Sequence, residues 1–383
     1  MPTPRWIVIP ALLRHDRAGM GGTASFVRGL ETQLRSRGFP VMLLGCGAGP
    51  ENDPQFRSVL DRSDARGRDF SWALWKRRKE WSFPPETIIH VQRPDHALAF
   101  LRGPWPLVIT YHGRHRRTVA MRGGPLAGAF YRWIENRTGR RADALTFAAR
   151  RDMEAVLGVH PGWRDKAHAI PVGIERDRFT PGDAGRARHA LGLPADARAV
   201  VYAGRLEPEK NVPALIHATQ SLPGVELWIA GIGRDESRCR RAAGPRVRFL
   251  GPLDRERLPW LLRAGDLIAL ASRHEGLPTV VLEAWACGRP VVAPPVGDLP
   301  LLLADGGGAL ARDGRAESLA DALRAVFAAR SSDPQTRAEE ERSLRGRTER
   351  YDWAVVADAF CRVYEEAAAP ADDRRAGAPG GGR

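Results

Sequence analysis

Two carboxylates, Glu275 and Glu283, stand with seven residues between them in the stretch Ala271–Gly288, ASRHEGLPTVVLEAWACG. Acceptor-only side chains at such a spacing suit polyols, which present hydroxyl donors. Between them the sequence reads as the start of a helix, whose free N–H groups and positive dipole end suit a phosphate. A diphosphate carrying a sugar ring at each end meets both conditions. Two further cations fit that chemistry. Arg205 and Lys210 in Arg205-Leu-Glu-Pro-Glu-Lys210-Asn211 follow an apolar strand pattern. The guanidinium can clamp phosphate oxygens in pairs, and the ammonium adds a point charge. His112 also follows an apolar run, Leu107–Tyr111, at the strand end where α/β sheets carry their sites.

The elements that must position these groups alternate between strand and helix. Asp266–Leu270 reads as a short buried strand, Gly276 as a turn, Pro278 as the first helical position, and Gly288 as a left-handed cap. That puts Glu275 in a loop and Glu283 just over one turn inside a helix. Trp6–Ile9 is a plausible first strand, followed by the glycine loop Gly19-Met-Gly21-Gly22, a helix to about Arg37 with Val27, Leu30 and Leu34 on one face, and the strand Val41–Leu44. Ile88–Val91, Leu107–Tyr111 and Ala142–Phe147 continue the first half; Ala199–Gly204, Val225–Ala230, Arg246–Gly251 and Pro290–Ala293 build the second. The fold class is α/β with two doubly wound domains. Neither glycine loop carries GxGxxG, which argues against a dinucleotide enzyme.

The Glu275–Glu283 segment resembles the E-x7-E motif of retaining, GT-B-fold glycosyltransferases of family GT4, and Gly204-Arg205-Leu206…Lys210-Asn211 resembles that family's GRLxxxKN segment. VITYHG, ending in His112-Gly113, resembles the strand whose histidine lies near the transferred sugar. The resemblance implies two Rossmann-like domains facing each other across a cleft. The expected boundaries are 1–175 for the acceptor-side domain, 176–349 for the nucleotide-sugar domain, 350–369 for a helix crossing back to the first, and 370–383 for a disordered tail. It further implies that Gly21 and Gly22 face the donor phosphates and acceptor, and that the region of Leu250 holds the nucleobase. Gly204, Gly276, Leu277, Pro278, Thr279 and Val280 line the donor. Glu275 holds sugar hydroxyls, Glu283 the ribose, and His112, Arg205 and Lys210 serve catalysis with Glu275. The sequence departs from the family at Ala148 and Ala149, Val172, Glu175, Asp298 and Leu301.

The implied activity moves a hexose-type sugar from a UDP- or GDP-sugar to a hydroxyl of a saccharide or lipid-linked acceptor, with retention, in cell-envelope polysaccharide or glycolipid synthesis. Natural-product glycosylation and nucleotide-sugar epimerase or hydrolase activity on the same fold are alternatives. No cofactor is expected beyond the nucleotide sugar as co-substrate, and no metal, since cationic side chains face the phosphates and no DxD stands in the expected place.

The 383 residues carry a formal charge of +14, with 43% hydrophobic and 27% charged residues. That balance fits a globular enzyme and favours anionic partners, either phosphorylated substrates or an anionic membrane face. A non-enzymatic protein binding membrane or nucleic acid is the rival, and no nucleic-acid module supports the latter. Arg114–Arg117 and Arg122 read as a basic loop beside the site. Residues 47–85 mix arginine with Phe56, Phe70, Trp72, Trp75 and Trp81 and read as an irregular insertion or a helix with an exposed aromatic face. Cys46, Cys239, Cys287 and Cys361 lack metal or disulfide spacing. No apolar run is long enough for a signal or membrane span, so the expected location is cytoplasmic, touching the inner membrane face.

Overall fold

The structure, a computed structural model, describes residues 5–14, 22–47, 55–61, 67–113 and 115–369, with the backbone alone at 14, 115–118 and 120–122. Gly21, Arg114 and the 370–383 tail lie outside the described residues. The chain divides into two units, Met1–Gly173 with Trp353–Arg383, and Ile174–Asp352.

The first unit holds β1 (Ile7–Arg14), β2 (Val41–Cys46), β3 (Phe56–Leu60), β4 (Ile88–Val91), β5 (Leu107–Tyr111), β6 (Ala144–Phe147) and β7 (Ala167–Ala169). They form one sheet in the order β3-β2-β1-β4-β5-β6-β7, and every pairing is parallel. The reversal of winding falls between β1 and β4, so their carboxyl ends flank a crevice suited to ligands. Strands buried on both faces read as largely apolar runs, and IIHV and LVITY do so apart from His90 and Thr110, which are buried and hydrogen-bonded to each other. One face packs on Phe70, Leu74, Trp81 and Trp105. The other packs on Phe26, Val27 and Leu30 of the Gly22–Ser36 helix, and on Trp353, Phe360 and Tyr364 of the Trp353–Ala368 helix. Those two helices meet through Phe26, whose ring centre is 5.5 Å from that of Phe360.

The second unit holds β8 (Arg198–Ala203), β9 (Val225–Ala230), β10 (Val247–Gly251), β11 (Leu267–Ala269), β12 (Val291–Ala293) and β13 (Gly308–Leu310). The order is β10-β9-β8-β11-β12-β13, again all parallel. Alternation along β8 sends Ala199 and Val201 into one core with Trp228 and Trp285, and Val200 and Tyr202 into the other with Leu215 and Leu319. The reversal here lies between β8 and β11.

Three expectations are corrected. The basic stretch after His112 is not a loop: from His115 its backbone is helical, within His115–Arg141. That element is broken at Gly124 (φ 79°), where Pro125 has no N–H to continue the first ladder. Of the two readings of residues 47–85, the helix with an exposed aromatic face holds for part of the stretch. These residues contain β3 and the helix Gly67–Lys76, in which Phe70 and Leu74 are buried while Trp72 and Trp75 stack on the outside. Trp81 belongs to the core, not to an exposed face. Finally, Pro278 caps the Thr279–Ala286 helix instead of occupying its first turn, with φ −74° and ψ 117°.

Candidate active site

In the second unit, the loops leaving β8 and β11 flank the point where the winding reverses. The β8 loop turns sharply at Gly204, and Gly231 after β9 must carry no side chain, since a Cβ there would sit 1.9 Å from the Gly204 carbonyl oxygen. Tyr202 Oη donates to the Arg205 carbonyl at 2.8 Å and fixes the turn. Burial, with the Glu275 charge nearby, keeps that phenol protonated far above its ordinary range. Asn211 ends the turn in the left-handed region (φ 53°), and its side-chain amide donates to the Gly314 carbonyl at 2.9 Å.

The β8 loop delivers Lys210 to the β11 loop. Its Nζ donates to Glu275 Oε1 at 2.7 Å, and Ser272 Oγ donates to the same oxygen at 2.6 Å. The backbone binds as well: Arg273 N–H donates to the Glu209 carbonyl at 2.8 Å. A third loop, after β12, supports the second. Asp298 N–H donates to the Gly276 carbonyl at 3.0 Å. Gly297 lies so close that a Cβ would fall 2.4 Å from the carbonyl oxygens of Glu275 and Gly276. Asp298 thus braces this loop through its backbone, while Leu301 is exposed.

Directly after Gly276, Leu277 and Pro278 comes the Thr279–Ala286 helix. Among the described residues nothing accepts a hydrogen bond from the N–H of Thr279 or Val280, so two helix-terminal donors stand ready beside the Lys210–Glu275 pair. Arg205 is mostly exposed, 3.9 Å from Glu209. Glu283 is half-buried further along the helix, and its carboxylate makes no hydrogen bond with a described residue. Desolvation pushes its carboxyl up to about 7, with Arg255 opposing and Glu175 adding to the shift. Leu250 is half-buried in β10, and Gly251 beside it accepts from Gly231 N–H at 2.8 Å.

Lys210 and Glu275 are therefore brought into contact, with Gly204, Arg205 and Gly276 through Pro278 in the loops around them and Thr279 and Val280 in the first helical turn; Glu283 has no direct contact with that pair. Ser272 was not singled out from the sequence, and Asn211 stood there only as the last residue of the Gly204–Asn211 motif, without a role. Ser272 stands three residues before Glu275, a spacing that lets a hydroxyl reach back to a loop carboxylate.

In the first unit, His112 sits just past β5. Its Nε2 lies 2.9 Å from Gln92 Oε1, and its ring meets the edge of Phe26 at 4.7 Å. Gln92 Nε2 donates to the His90 carbonyl at 3.3 Å, which orients the amide oxygen as acceptor and assigns the proton to His112 Nε2. Gln92, like Ser272, carries no motif signature. Behind it, His90 is buried between Tyr364 Oη (2.8 Å) and Thr110 Oγ1 (2.6 Å), and burial pulls its pKa down to about 3. Gly22 opens the Gly22–Ser36 helix and is exposed. Asp95, after β4, accepts from Ser71, Arg93 and Tyr131; despite burial, His96 and Arg93 hold it well below the usual carboxylate range.

Two family profiles match the chain: "Glycosyltransferase Family 4" over residues 20–178 and "Glycosyl transferases group 1" over residues 197–329. The chain is 34% identical over 237 residues to a D-inositol 3-phosphate glycosyltransferase of Mycolicibacterium smegmatis, covering 59% of this chain and 53% of that protein. It is 31% identical over 308 residues to the protein of that name from Mycobacteroides abscessus, covering 78% and 64%. The matches thus span about half to two thirds of these relatives. In fold, it is similar to a sucrose-phosphate synthase from Thermosynechococcus elongatus (TM-score 0.78, 23% identity, 94% and 98% covered). It is also similar to Anabaena HepE in complex with UDP-glucose (TM-score 0.72, 20% identity, 94% and 99% covered). These likenesses identify the two-sheet α/β architecture as GT-B.

Proposed function

The chain belongs to the group 1, family 4 glycosyltransferases, and on that premise we propose that it transfers a hexose-type sugar from a UDP- or GDP-sugar to a hydroxyl acceptor with retention of configuration. The observation that carries this reading is the Lys210–Glu275–Ser272 cluster beside the unpartnered N–H groups of Thr279 and Val280.

Transfer breaks the bond from the anomeric carbon to the phosphate oxygen, and the electron pair leaves with the phosphate. Groups that meet this developing charge in place, without rearrangement, lower the barrier most. Lys210, Arg205 and the Thr279 and Val280 amides supply four such donors. Lys210 already spends one of its three N–H bonds on Glu275, which holds the ammonium in position. Glu275, in turn, accepts from the sugar hydroxyls. Because its Oε1 is bound by Lys210 and Ser272, it is a poor covalent nucleophile. Retention then follows same-face attack: the acceptor oxygen bonds the anomeric carbon as its proton passes to the departing phosphate. Glu283, unpaired within its helix, takes the ribose hydroxyls. His112, held by Gln92, orients the transferred sugar. This scheme assigns phosphate neutralisation to side chains and needs no metal.

The relatives' name makes D-inositol 3-phosphate the first acceptor to try. The test is incubation with UDP- and GDP-sugars and that acceptor, read by product mass spectrometry. A new glycoside supports transfer. Release of free sugar or an epimer without acceptor favours the hydrolase or epimerase reading, and no nucleotide thermal shift at all sinks the proposal.

A role on the inner membrane face, in cell-envelope glycolipid or polysaccharide assembly, is supported by one surface. Leu126, Phe130 and Trp133 are 86%, 63% and 55% exposed along the second segment of the His115–Arg141 helix. That spacing aligns them on one side, among arginines. Among the described residues no helix is long and apolar enough to cross a membrane. Co-sedimentation with anionic vesicles, lost in Phe130→Ser/Trp133→Ser, is the expected result; equal binding by that variant would remove the support.

A further inference from the structure

A second polar cavity opens in the second unit, on the opposite edge of its sheet. Its lining comes from residues that precede the strands: Arg198 at the start of β8, Asp266 before β11 and Arg289 before β12. The donor-site loops leave the other ends of β8 and β11, so the length of β8 alone separates the two places by about 17 Å. The cavity measures about 640 Å³, within the range of small-molecule sites.

Its walls carry Arg188, Arg289, Arg330 and Arg337. The first two are structural in part. Arg188 donates to the Ala264 carbonyl at 2.9 Å and lies 3.5 Å from Asp266; Arg289 donates to Glu341 and, at 3.0 Å, to the Arg263 carbonyl. Arg330 is different. Its side chain is 10% exposed, and among the described residues its only close carboxylate oxygen is Glu341 Oε1 at 3.9 Å, the same atom Arg289 already holds. Among the described residues Arg330 Nε and Nη1 have no hydrogen-bond partner, and neither do Arg289 Nε or Arg337 Nε. Burial and the neighbouring Arg289 pull the Arg330 guanidinium down only to about 10, so it stays cationic at neutral pH.

Covered guanidinium donors without acceptors are costly, and a network built only for stability would have closed them on carboxylates or carbonyls. Asp266 Oδ2 is already held by the Ala199 N–H and Arg188, and Asp266 makes no ion pair with Arg330 among the described residues. An oxyanion with several acceptor oxygens would satisfy the free donors together and screen the repulsion between Arg289 and Arg330. Ser331 and Ser332, on the same wall, offer hydroxyls to such a group.

We infer that the cavity bounded by Arg289, Arg330 and Arg337 is a binding site for a phosphate group, separate from the donor site. The group belongs to free phosphate or to the monoester of a small metabolite. Calorimetric titration of the full chain with inorganic phosphate and with glycerol 3-phosphate, at ionic strength matched by sodium chloride, distinguishes these sources. Equal affinity identifies the free ion, and tighter binding of the ester identifies a phosphorylated metabolite.

The reference protein is Arg205→Gln/Lys210→Gln, which removes phosphate contacts at the donor site. Saturable binding is expected to survive there, with a melting temperature raised by about 2–4 °C at a few multiples of Kd. Arg330→Gln in that background is expected to weaken binding at least tenfold while circular dichroism stays unchanged. If Arg330→Gln does not fold, Arg337→Gln carries the same expectation. Absence of saturable binding beyond the chloride control, or binding equal in the folded arginine variants, overturns the inference. Loss of binding in the Arg205→Gln/Lys210→Gln protein alone would assign the phosphate to the donor site and overturn it too.

Discussion

Replacing Lys210 with methionine removes the ammonium and keeps most of the stem. In the intact protein Lys210 Nζ lies 2.7 Å from Glu275 Oε1, with side chains 20% and 10% exposed. A pair so covered falls between two limits. Exposed pairs contribute roughly 0.2–1 kcal/mol. Removing one partner of a fully buried pair costs about 3–5 kcal/mol. Ser272 still donates to the stranded carboxylate at 2.6 Å, so a loss of about 2 kcal/mol is expected. Turnover should suffer more, because the ammonium acts on charge that develops only during transfer: a fall of about 10²–10³ in kcat. Urea unfolding and single-turnover kinetics with saturating donor measure the two effects separately. The companion Lys210→Met/Glu275→Gln removes both charges, and is expected to regain most of the stability and none of the rate. The reasoning fails if Lys210→Met loses less than about 0.5 kcal/mol and keeps kcat within about threefold.

Three further outcomes follow from the same geometry. Glu283, pushed up to about 7, binds its proton more tightly folded than unfolded. Its contribution to stability is therefore full below about pH 4.5 and lost as pH rises through about 7, by at most about 3 kcal/mol. Unfolding at pH 5 and pH 8 should reveal this drop in the native protein and a smaller one in Glu283→Gln. Gly297→Ala forces a Cβ against the Glu275 and Gly276 carbonyls at φ 55°. It should cost about 1–3 kcal/mol and cut kcat/KM at least about tenfold, with the nucleobase half of the donor bound as before; unchanged kinetics would count against the Gly297 brace. Tyr364→Phe strips His90 Nδ1 of its 2.8 Å partner. Chemical denaturation should register a loss of about 1–3 kcal/mol, and a neutral result would mean the buried chain Tyr364–His90–Thr110 is not a stabilising unit.

The parts of the fold legible in sequence were those with a strong period. IIHV, LVITY and AVVYA are largely apolar runs, as strands buried on both faces have reason to be. The Gly22–Ser36 helix declared itself through Val27, Leu30 and Leu34. The Gly67–Lys76 helix was legible only as one of two alternatives, because its two outward tryptophans, Trp72 and Trp75, blur the apolar stripe made by Phe70 and Leu74. The basic stretch after His112 read as a loop for want of any apolar period, yet its backbone is helical up to the Gly124 break. Within the site, Lys210 and Glu275 stood out because charged side chains at strand ends are conspicuous. Ser272 and Gln92 did not: each acts by orienting a neighbour, and a lone hydroxyl or amide, even at a favourable spacing, belongs to no motif. Gly297 is similar, since its importance lies in a carbonyl that approaches from another loop.

The central claim is that the loops after β8 and β11 grip a nucleoside diphosphate. A crystal structure of the chain with UDP tests it most directly. The account predicts the β-phosphate within hydrogen-bond reach of Lys210 Nζ and the N–H groups of Thr279 and Val280, with Arg205 closing over it and the ribose on Glu283. Nucleotide bound elsewhere, or a β-phosphate turned away from Lys210 with the Lys210–Glu275 pair undisturbed, would contradict it.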